Sequence, residues 1–342
     1  MDVIRAAIVG CGLIGTKRAR AATAIARETR IATGIQIVGC CDVDEARAHA
    51  LARTIPGAQA STDWQAAVRR QDLDLVFVAT AHDMLAAIAR EAAAAGKHVL
   101  IEKPGARSKA ELAPVREAAR RTGALVRVGF NHRYHRAFRK AREIFESGAL
   151  GEMMFVRGRY GHGGRPGYDK EWRAAPEKSG GGELVDQGMH LIDLARWFLG
   201  DFSQVKGMIG TYFWDMPVED NAFLLLRTPA GKVASLHATW TEWKNLFSFE
   251  IYGRRAKLEV SGLGGSYGTE RLAFYRMLPE MGPPETTIWE YPAADDSWQA
   301  EVAEFAEDIR LKRQPAPGLD EAEAAWEIVE TVYREAGHDH HQ

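Results

Sequence analysis

The chain has few of the features that mark secreted, membrane-spanning or nucleic-acid-binding proteins. Its 342 residues include three cysteines. Cys40 and Cys41 are neighbours in a predicted strand and point to opposite faces, so a disulfide framework is not expected. The formal net charge of −2 indicates neither a nucleic acid nor an acidic membrane as partner. No apolar run reaches membrane-spanning length, and Met1 and Asp2 precede the first predicted strand without room for a signal peptide. We therefore expect a cytoplasmic protein.

The composition is that of a globular protein. Hydrophobic residues make up 46% and charged residues 26% of the chain, and the length suggests about two domains. The C-terminal residues 338–342 are rich in histidine, and we interpret them as a frayed end or an added remnant. The sequence therefore predicts no metal site.

A glycine-rich turn directly follows the first apolar run, residues 4–9. A buried strand, a G-x-G-x-x-G turn and a helix form the fingerprint of dinucleotide binding. Gly10 permits the tight turn, Gly12 lets the backbone approach a pyrophosphate, and Gly15 allows close helix–strand packing. The helix N-terminus offers free N–H groups to the phosphates. The predicted cofactor contacts in this turn are Gly10, Gly12, Leu13, Ile14 and Gly15.

An acidic residue, Asp42, ends the second apolar run, residues 35–41. It lies farther from the glycines than the usual roughly 20 residues, because a long helix rich in Ala and Arg intervenes. A carboxylate at this place accepts hydrogen bonds from the ribose hydroxyls and repels a 2′-phosphate. The sequence thus predicts NAD in preference to NADP, with a solvated acid at a strand end as the alternative.

Strands and helices alternate up to about residue 125 and then give way to antiparallel strands. We expect strands at 4–9, 35–41, 74–79, 98–101 and 125–129, and helices at 14–29, 44–53, 63–70, 83–95 and 109–122. Alternating runs at 222–227 and 233–240 predict an antiparallel sheet, with helices near 135–147, 186–199, 298–312 and 320–336. The predicted fold class is α/β: an N-terminal Rossmann domain with a parallel sheet (1–125), then an α+β domain with a large, mostly antiparallel open sheet (126–337) and a tail (338–342).

Two further motifs accompany the fingerprint. Glu102-Lys103-Pro104 closes a predicted Rossmann strand, and Gly180-Gly181-Gly182-Glu183-Leu184-Val185-Asp186-Gln187-Gly188-Met189-His190 follows in the second half. With these motifs, the chain resembles the glucose–fructose oxidoreductase/inositol dehydrogenase (Gfo/Idh/MocA) family over nearly its whole length. The resemblance implies oxidation or reduction, dependent on NAD(P), at a carbinol carbon of a sugar or cyclitol. It also favours a cis Lys103–Pro104 bond.

The residues support this chemistry on physical grounds. Asp186 and His190 are four residues apart at a predicted helix start, so both project from one face. Hydride transfer from a C–H bond needs a base for the O–H proton, and imidazole titrates near neutral pH. His190 is therefore the candidate base, with a capping or core histidine as the alternative. Lys103 ends a Rossmann strand, where ligands collect, and can donate to the reacting oxygen. Asp186 would hold a hydroxyl or orient Lys103, and the glycines at 180–182 would let the backbone approach a ligand.

Other candidate contacts follow from the resemblance and from loop composition. The resemblance places Glu102, Thr80, Trp172 and Arg173 near the cofactor, although the Thr80 loop lacks the proline and histidine that many family members carry there. It also places Asn131 and Arg133 near the substrate, with His135 beside them and hydrogen bonding between domains as the alternative. A Gly-rich loop adds three candidate substrate residues, His162, Tyr168 and Asp169.

Three hypotheses about function remain open. The first is an NAD-dependent dehydrogenase acting on a secondary hydroxyl of a sugar, sugar derivative or cyclitol. The second is a nucleotide-sugar (3-)dehydrogenase, for which Arg165, Lys170, Arg173 and Lys178 could form a basic groove. The third is a non-catalytic NAD-sensing regulatory protein. Apolar residues on both faces of the predicted antiparallel sheet also predict a homodimer or homotetramer that packs sheet to sheet.

Overall fold

A computed structural model describes residues 3–27 and 34–337. The end of the first expected helix, at 28 and 29, and the tail 338–342 lie outside this range. The described residues form two compact units. The first comprises the chain up to Asn131 together with Trp298–Glu323, and the second comprises His132–Ser297 and the residues from Ala324 onward.

The first unit is a doubly wound parallel sheet, as the sequence predicted. Its strands are β1 (Val3–Val9), β2 (Gly34–Cys41), β3 (Gln59–Ser61), β4 (Leu75–Val78), β5 (His98–Glu102) and β6 (Val126–Gly129), in the order β3-β2-β1-β4-β5-β6. Its helices are α1 (Leu13–Arg27), α2 (Glu45–Ala52), α3 (Trp64–Arg69), α4 (His82–Ala94) and α5 (Lys109–Thr122). The strands read as continuous apolar runs because both sheet faces are covered.

The boundary between the units differs from the expected residue 125. Strand β6 pairs with β5, so its hydrogen bonds keep it in the first unit. Helix α9 (Ser297–Leu311) contributes Val302 and Phe305 to the core of the first unit. The short strand β3 was not predicted, since three residues are too few to show a period.

The second unit contains an eight-stranded sheet that is antiparallel except for one pair. The strands are β7 (Met153–Gly161), β8 (Gln204–Gly210), β9 (Asn221–Arg227), β10 (Val233–Thr239), β11 (Leu246–Gly253), β12 (Ala256–Ser261), β13 (Glu270–Arg276) and β14 (Glu285–Tyr291). Their order is β14-β13-β12-β11-β7-β10-β9-β8, and β7 runs parallel to β10. The helices are α6 (Arg136–Glu146), α7 (Pro176–Ser179), α8 (Met189–Leu199) and α10 (Leu319–Glu335), of which α10 begins in the first unit.

The open face of this sheet is less apolar than the sequence suggested. Leu224 and Leu226 are buried, whereas Phe223 and Leu225 are 42% and 56% exposed, and Met208 of β8 lies beside Phe223. Trp240, which follows β10, is fully buried. Further along the same face, the exposed row is charged and bridged by ion pairs between Arg157 and Glu250 and between Lys257 and both Glu250 and Glu259. The exposed apolar patch is therefore centred on β8 and β9.

A buried ion cluster ties three elements of the first unit together. Arg18 of α1 is fully buried, donates from Nε to Glu102 at 2.5 Å, and forms a short ion pair with Glu301 of α9. Its guanidinium also lies over the Trp298 ring, 4.4 Å from the centroid. A Cβ at Gly129 would come within 2.6 Å of Arg18 Nη2, so glycine is required there. Burial raises the pKa of Glu301 against the opposing pull of Arg18.

We expect Arg18→Met to lower the free energy of unfolding by about 3–5 kcal/mol, because two buried carboxylates lose their cation. Urea unfolding of the whole chain measures this. Adding Glu301→Gln should restore part of the loss by removing one of those charges. The control is Arg120→Met, which removes an exposed helical pair with Glu117 and should leave stability unchanged. Equal free energies of unfolding for Arg18→Met and Arg120→Met would contradict the stabilising role of the Arg18 ion cluster.

Candidate active site

The glycine-rich turn in the first unit has the shape that the fingerprint predicts. Gly10 has a positive φ of 95°, and a Cβ there would lie 2.4 Å from the Ala79 carbonyl oxygen. A Cβ at Gly15 would lie 1.8 Å from the Gly10 carbonyl oxygen. Gly12, in contrast, has no atom within 4 Å of a built Cβ. Gly10 and Gly15 are thus required by packing, whereas Gly12 leaves open space where a pyrophosphate would approach. The next residue, Leu13, is 75% exposed at the start of α1, and Ile14 follows it.

Asp42 supports this turn from the end of β2. Its Oδ2 accepts from the Cys11 amide at 2.7 Å, and its Oδ1 accepts from the Asp44 amide at 2.9 Å. The carboxylate is buried. Asp42 therefore fixes the loop, a role that the sequence did not indicate, and its remaining lone pairs are compatible with ribose hydroxyls.

The carboxyl ends of β4 and β5 carry the other candidates of the first unit. Lys103 is half-buried directly after β5, and Lys103–Pro104 is cis, which confirms that prediction. The Glu102 side chain is engaged with Arg18, so its contacts are within the protein. Thr80 is half-buried and donates from its hydroxyl to the Ala81 carbonyl at 3.0 Å, just before α4.

Asp186 and His190 lie on one continuous helical segment of the second unit. Residues Leu184–Gly188 form a π-helical turn, and α8 continues from Met189. Such turns occur frequently at functional sites. Both side chains are buried, with Asp186 9% and His190 5% exposed. The segment that carries both residues is thus helical throughout, although its first turn is wider than an α-helix.

An alternating chain of charges leads to Asp186. Arg173 donates from Nε to Asp186 Oδ2 at 3.0 Å and lies 3.8 Å from Glu171, which in turn pairs with Arg165 at 2.6 Å. Burial lowers the pKa of Arg173, but Asp186, Tyr168 and Glu171 together outweigh burial and leave this pKa raised. The Arg173 guanidinium also lies 4.6 Å from the centroid of the Trp172 ring. Two of the arginines considered for a diphosphate groove are thus neutralised by carboxylates, while Lys170 and Lys178 are exposed.

The Gly-rich loop brings His162 and Tyr168 together. Their rings meet edge to face with centroids 5.5 Å apart, and Tyr168 also contacts buried Trp240. His162 Nδ1 accepts from the Gly164 amide at 2.9 Å, so the neutral ring carries its proton on Nε2. Burial lowers the pKa of His162, partly offset by Asp186. The ring is therefore a neutral Nε2–H donor near Asp186, and Asp169 lies half-buried beside Tyr168.

The segment after β6 serves mainly to hold the protein together. Arg133 forms a bidentate pair with Asp193 of α8, at 2.8 and 2.6 Å, and His135 contacts Glu270 at 3.0 Å. Both pairs are buried within the second unit. These contacts lie within the second unit, so they are not the hydrogen bonding between domains that the sequence offered as the alternative. Asn131 is buried at the end of the first unit.

The glycine run at 180–182 packs against protein, which differs from the expected approach to a ligand. A Cβ at Gly181 would lie 2.0 Å from the Tyr333 hydroxyl, and one at Gly182 would lie 2.0 Å from the Glu219 carbonyl oxygen. Gly181 also has a positive φ of 153°. Packing alone therefore explains these two glycines.

Several residues near the Asp186–His190 helix were not selected from the sequence. The His132 and His190 rings are 3.8 Å apart between centroids, at 75°. Gln187 donates to the Tyr267 hydroxyl at 3.4 Å, and Tyr267 stands on a Gly-flanked turn beside Tyr160. The glycines that flank Tyr267 mark this turn in the sequence.

Residues 3–27 and 34–337 contain neither a cluster of metal ligands nor a membrane-spanning helix. No group of three or more His, Cys, Asp or Glu side chains there could hold a metal ion. None of the helices in those ranges is both long and apolar enough to cross a membrane.

Comparison with known proteins identifies both halves of the chain. Residues 4–130 match the model of the oxidoreductase family with the NAD-binding Rossmann fold, and residues 138–259 match the GFO/IDH/MocA C-terminal domain. A levoglucosan dehydrogenase of Pseudarthrobacter phenanthrenivorans is 29% identical over 234 residues, or 60% of each chain. The chain therefore matches about 60% of the length of this curated relative.

Two longer alignments cover nearly the whole chain. The dTDP-3,4-didehydro-2,6-dideoxy-alpha-D-glucose 3-reductase of Streptomyces violaceoruber is 26% identical over 97% of this chain and 92% of its own. The structure of a levoglucosan dehydrogenase complex with NADH and levoglucosan superposes with a TM-score of 0.89 at 23% identity, covering 98% of this chain and 97% of that one. With both family models matched, the chain belongs to the Gfo/Idh/MocA family of NAD-binding oxidoreductases.

Proposed function

We propose that this oxidoreductase oxidises a secondary hydroxyl of an uncharged sugar, sugar derivative or cyclitol, with NAD as hydride acceptor. The proposal is carried by the surface around Asp186 in the second unit, formed with His190, Arg173, Glu171 and Arg165 and here called the site wall. There a candidate base, His190, and a carboxylate, Asp186, share one buried helix, and the neighbouring arginines are neutralised. A neutral polyol suits such a wall because it brings hydroxyls and no net charge.

Each residue has a chemical task in this reaction. A CH–OH group loses a hydride from carbon and a proton from oxygen to become a ketone. NAD, when bound, supplies the hydride acceptor. His190 takes the hydroxyl proton at a ring nitrogen. Lys103 donates a hydrogen bond to the oxygen as negative charge develops, and Asp186 accepts a hydrogen bond from a neighbouring hydroxyl.

The wall around Asp186 supplies further contacts. The His162 ring offers its Nε2–H as a donor, since Nδ1 is taken by the Gly164 amide. Tyr168 and Trp172 provide aromatic surfaces beside it, and Asp169 adds a carboxylate. Donors, acceptors and aromatic faces together are what a ring bearing several hydroxyls requires.

A nucleotide-sugar substrate remains the second candidate because of the reductase relative. It requires cations for its diphosphate. Arg165 and Arg173 are already paired with carboxylates, which leaves the exposed Lys170 and Lys178 for this task. Turnover of a panel of free sugars, cyclitols and nucleotide sugars, followed by NADH absorbance, distinguishes the candidates. We expect turnover of uncharged substrates. Turnover of nucleotide sugars alone would favour the second candidate, and NADH binding without any turnover would favour a regulatory protein.

Cofactor choice is predicted from Asp42. We expect kcat/KM for NAD to exceed that for NADP by at least about tenfold, because a 2′-phosphate beside the Asp42 carboxylate is unfavourable. Asp42→Asn removes the charge and keeps one acceptor oxygen, for the Cys11 amide, while its NH2 group faces the Asp44 amide. It should therefore narrow the ratio of kcat/KM for NAD to that for NADP, at some cost in stability. Steady-state kinetics with both cofactors measures this. Equal use of both by the wild type would refute the ribose role of Asp42.

The role of His190 predicts a selective loss of the chemical step. His190→Asn should lower kcat by roughly 10²–10⁴-fold, as expected for loss of a general base, while NADH affinity stays unchanged. Pre-steady-state hydride transfer and NADH fluorescence measure the two quantities. Lys103→Ala should also lower kcat, and Asp186→Ala should affect both KM and kcat. A His190→Asn variant with near wild-type turnover would place the base elsewhere.

We also propose a homo-oligomer, dimer or tetramer, that packs through the exposed patch of Met208, Phe223 and Leu225. Exposed apolar side chains on one sheet face favour self-association. We expect light scattering at micromolar concentration to give a multiple of the 37.8 kDa chain mass. Leu225→Lys should shift the protein toward monomer, whereas Ser235→Lys, between β9 and the charged strands, should shift it less. A monomeric wild type would exclude this proposal.

A further inference from the structure

The carboxylate of Glu219 binds the start of the helical segment 184–199, which carries Asp186 and His190 and is here called the site helix. Glu219 precedes β9 and is 1% exposed. Its side-chain oxygens accept from the Gly182 amide at 3.1 and 3.2 Å, from the Leu184 amide at 3.0 Å and from the Tyr333 hydroxyl at 2.8 Å. Its backbone carbonyl accepts from the Glu183 amide at 2.9 Å. Three consecutive amides, 182–184, are thus bonded to one residue.

These amides begin the segment that carries Asp186. A helix start leaves backbone N–H groups without partners inside the helix, and here Glu219 supplies their acceptors. The glycines at 181 and 182 are required for this approach, because a Cβ at either position would overlap Tyr333 or Glu219. The position of Asp186 therefore depends on a residue outside its own segment.

We propose that Glu219 is a positioning residue that fixes the 182–188 segment, and with it Asp186, in a manner that depends on its own protonation state. The hydrogen bonds that Glu219 accepts are seen in the structure and do not depend on the function assigned to the protein. Their consequence for catalysis rests on the proposed function, in which Asp186 binds a substrate hydroxyl.

The surroundings of Glu219 contain acidic and neutral groups. Tyr333 faces it from α10, the buried carboxyl of Glu183 belongs to the glycine segment, and the buried Asp220 follows it in the chain. Among the described residues, the Glu219 carboxylate accepts hydrogen bonds from backbone amides and from Tyr333, and none from a cation. Burial raises the pKa of Glu219 from 4.5 to about 7, although the hydrogen bonds from Tyr333 and the backbone amides oppose the rise.

The direction of the pH effect follows from linkage. The folded segment binds the Glu219 proton more tightly than an opened segment does, because opening exposes the carboxyl to water. Opening is therefore least favourable below about pH 4.5, becomes easier as the pH rises to about 7, and is constant above that. A side chain that stays neutral at every pH, such as glutamine at position 219, removes this pH dependence of opening.

Hydrogen exchange of peptides covering 182–188, read by mass spectrometry on the full chain, tests the contacts without a substrate. Glu219→Ala should accelerate exchange there by about tenfold or more at any pH, because the amides lose their acceptor. Glu219→Gln can keep an acceptor oxygen at the Oε1 position, which accepts from the Gly182 and Leu184 amides and from the Tyr333 hydroxyl, so it should retain protection. Should the alanine variant fail to fold, Glu219→Gln and Tyr333→Phe still decide the question through the pH dependence.

The matched control is the next residue. Asp220 is also fully buried and accepts from the amides of Tyr212, Phe213 and Trp214, a different loop. Asp220→Asn should accelerate exchange at 212–214 and spare 182–188. Equal acceleration of both segments by either variant would indicate general loosening and would overturn the specific role of Glu219.

The pH arm compares exchange at pH 5 and pH 8, after correction for the intrinsic rate. Wild-type opening of 182–188 should rise at least about tenfold between these values, and Glu219→Gln should show no such rise. Tyr333→Phe removes one donor to the carboxylate, so it should move the midpoint to higher pH. A protonated-carboxyl infrared band present in the wild type at pH 5 and absent from Glu219→Gln would confirm the titrating group. The same pH dependence in wild type and Glu219→Gln would overturn the proposal.

The kinetic arm uses a substrate turned over in the panel. Glu219→Ala should raise KM by about tenfold, with NADH affinity unchanged, and Glu219→Gln should recover most of the wild-type KM. If no substrate is turned over, the proposed function fails while the exchange arm still tests Glu219. If exchange responds as expected but KM does not, the contacts stand and the link to Asp186 is wrong.

Discussion

The buried guanidinium of Arg18 is the interaction on which the functional edge of the first unit depends. It belongs to the helix that the glycine-rich turn begins, it binds the side chain of Glu102 beside Lys103, and it binds Glu301 of a helix that joins the unit late in the chain. One cation thus sets α1, the end of β5 and α9 relative to one another. Because a buried charge without a partner is costly, these elements cannot shift independently.

Buried carboxylates also fix elements of the second unit, but most of the hydrogen bonds they accept come from backbone amides. Glu219 holds the start of the site helix, Asp220 holds the 212–214 loop, and Glu270 accepts from His135 and the Ala137 amide. Asp193 forms the exception, since it binds the Arg133 side chain. Irregular segments have amides that no ladder satisfies, so each buried acid replaces hydrogen bonds that a regular element would provide. Loops that carry site residues can then be rigid without being regular.

The sequence predicted the parts of the fold that have a period. The Rossmann strands other than β3, the helices between them, and the antiparallel strands β9 and β10 were predicted because apolar residues recur at fixed spacing. It did not predict the three-residue strand β3, nor the return of α9 to the first unit, because pairing and docking over long separations leave no local signal. The π-helical turn at Leu184–Gly188 was likewise read as ordinary helix.

The candidate site shows the same limit at the level of single residues. Motifs selected Asp186, His190 and the glycine-rich turn, since their chemistry is tied to residue type and spacing. They could not show that Arg133 is occupied by Asp193, that Gly181 and Gly182 serve packing, or that Asp42 also holds the Cys11 amide. These roles depend on partners far apart in sequence. Residue type and spacing can therefore select candidate site residues, whereas the contacts that hold those residues in place have to be read from the structure.

The charges around Asp186 show why that distinction affects specificity. From the sequence alone, Arg165 and Arg173 suggest a basic groove. In the structure they alternate with Glu171 and Asp186, so each cation is balanced and the wall has no net positive charge to offer a phosphate. The same arginines oppose protonation of His162, whose pKa burial already lowers, and the ring stays a neutral donor. Pairing within the protein thus leaves balanced charges where the sequence alone suggests a basic groove.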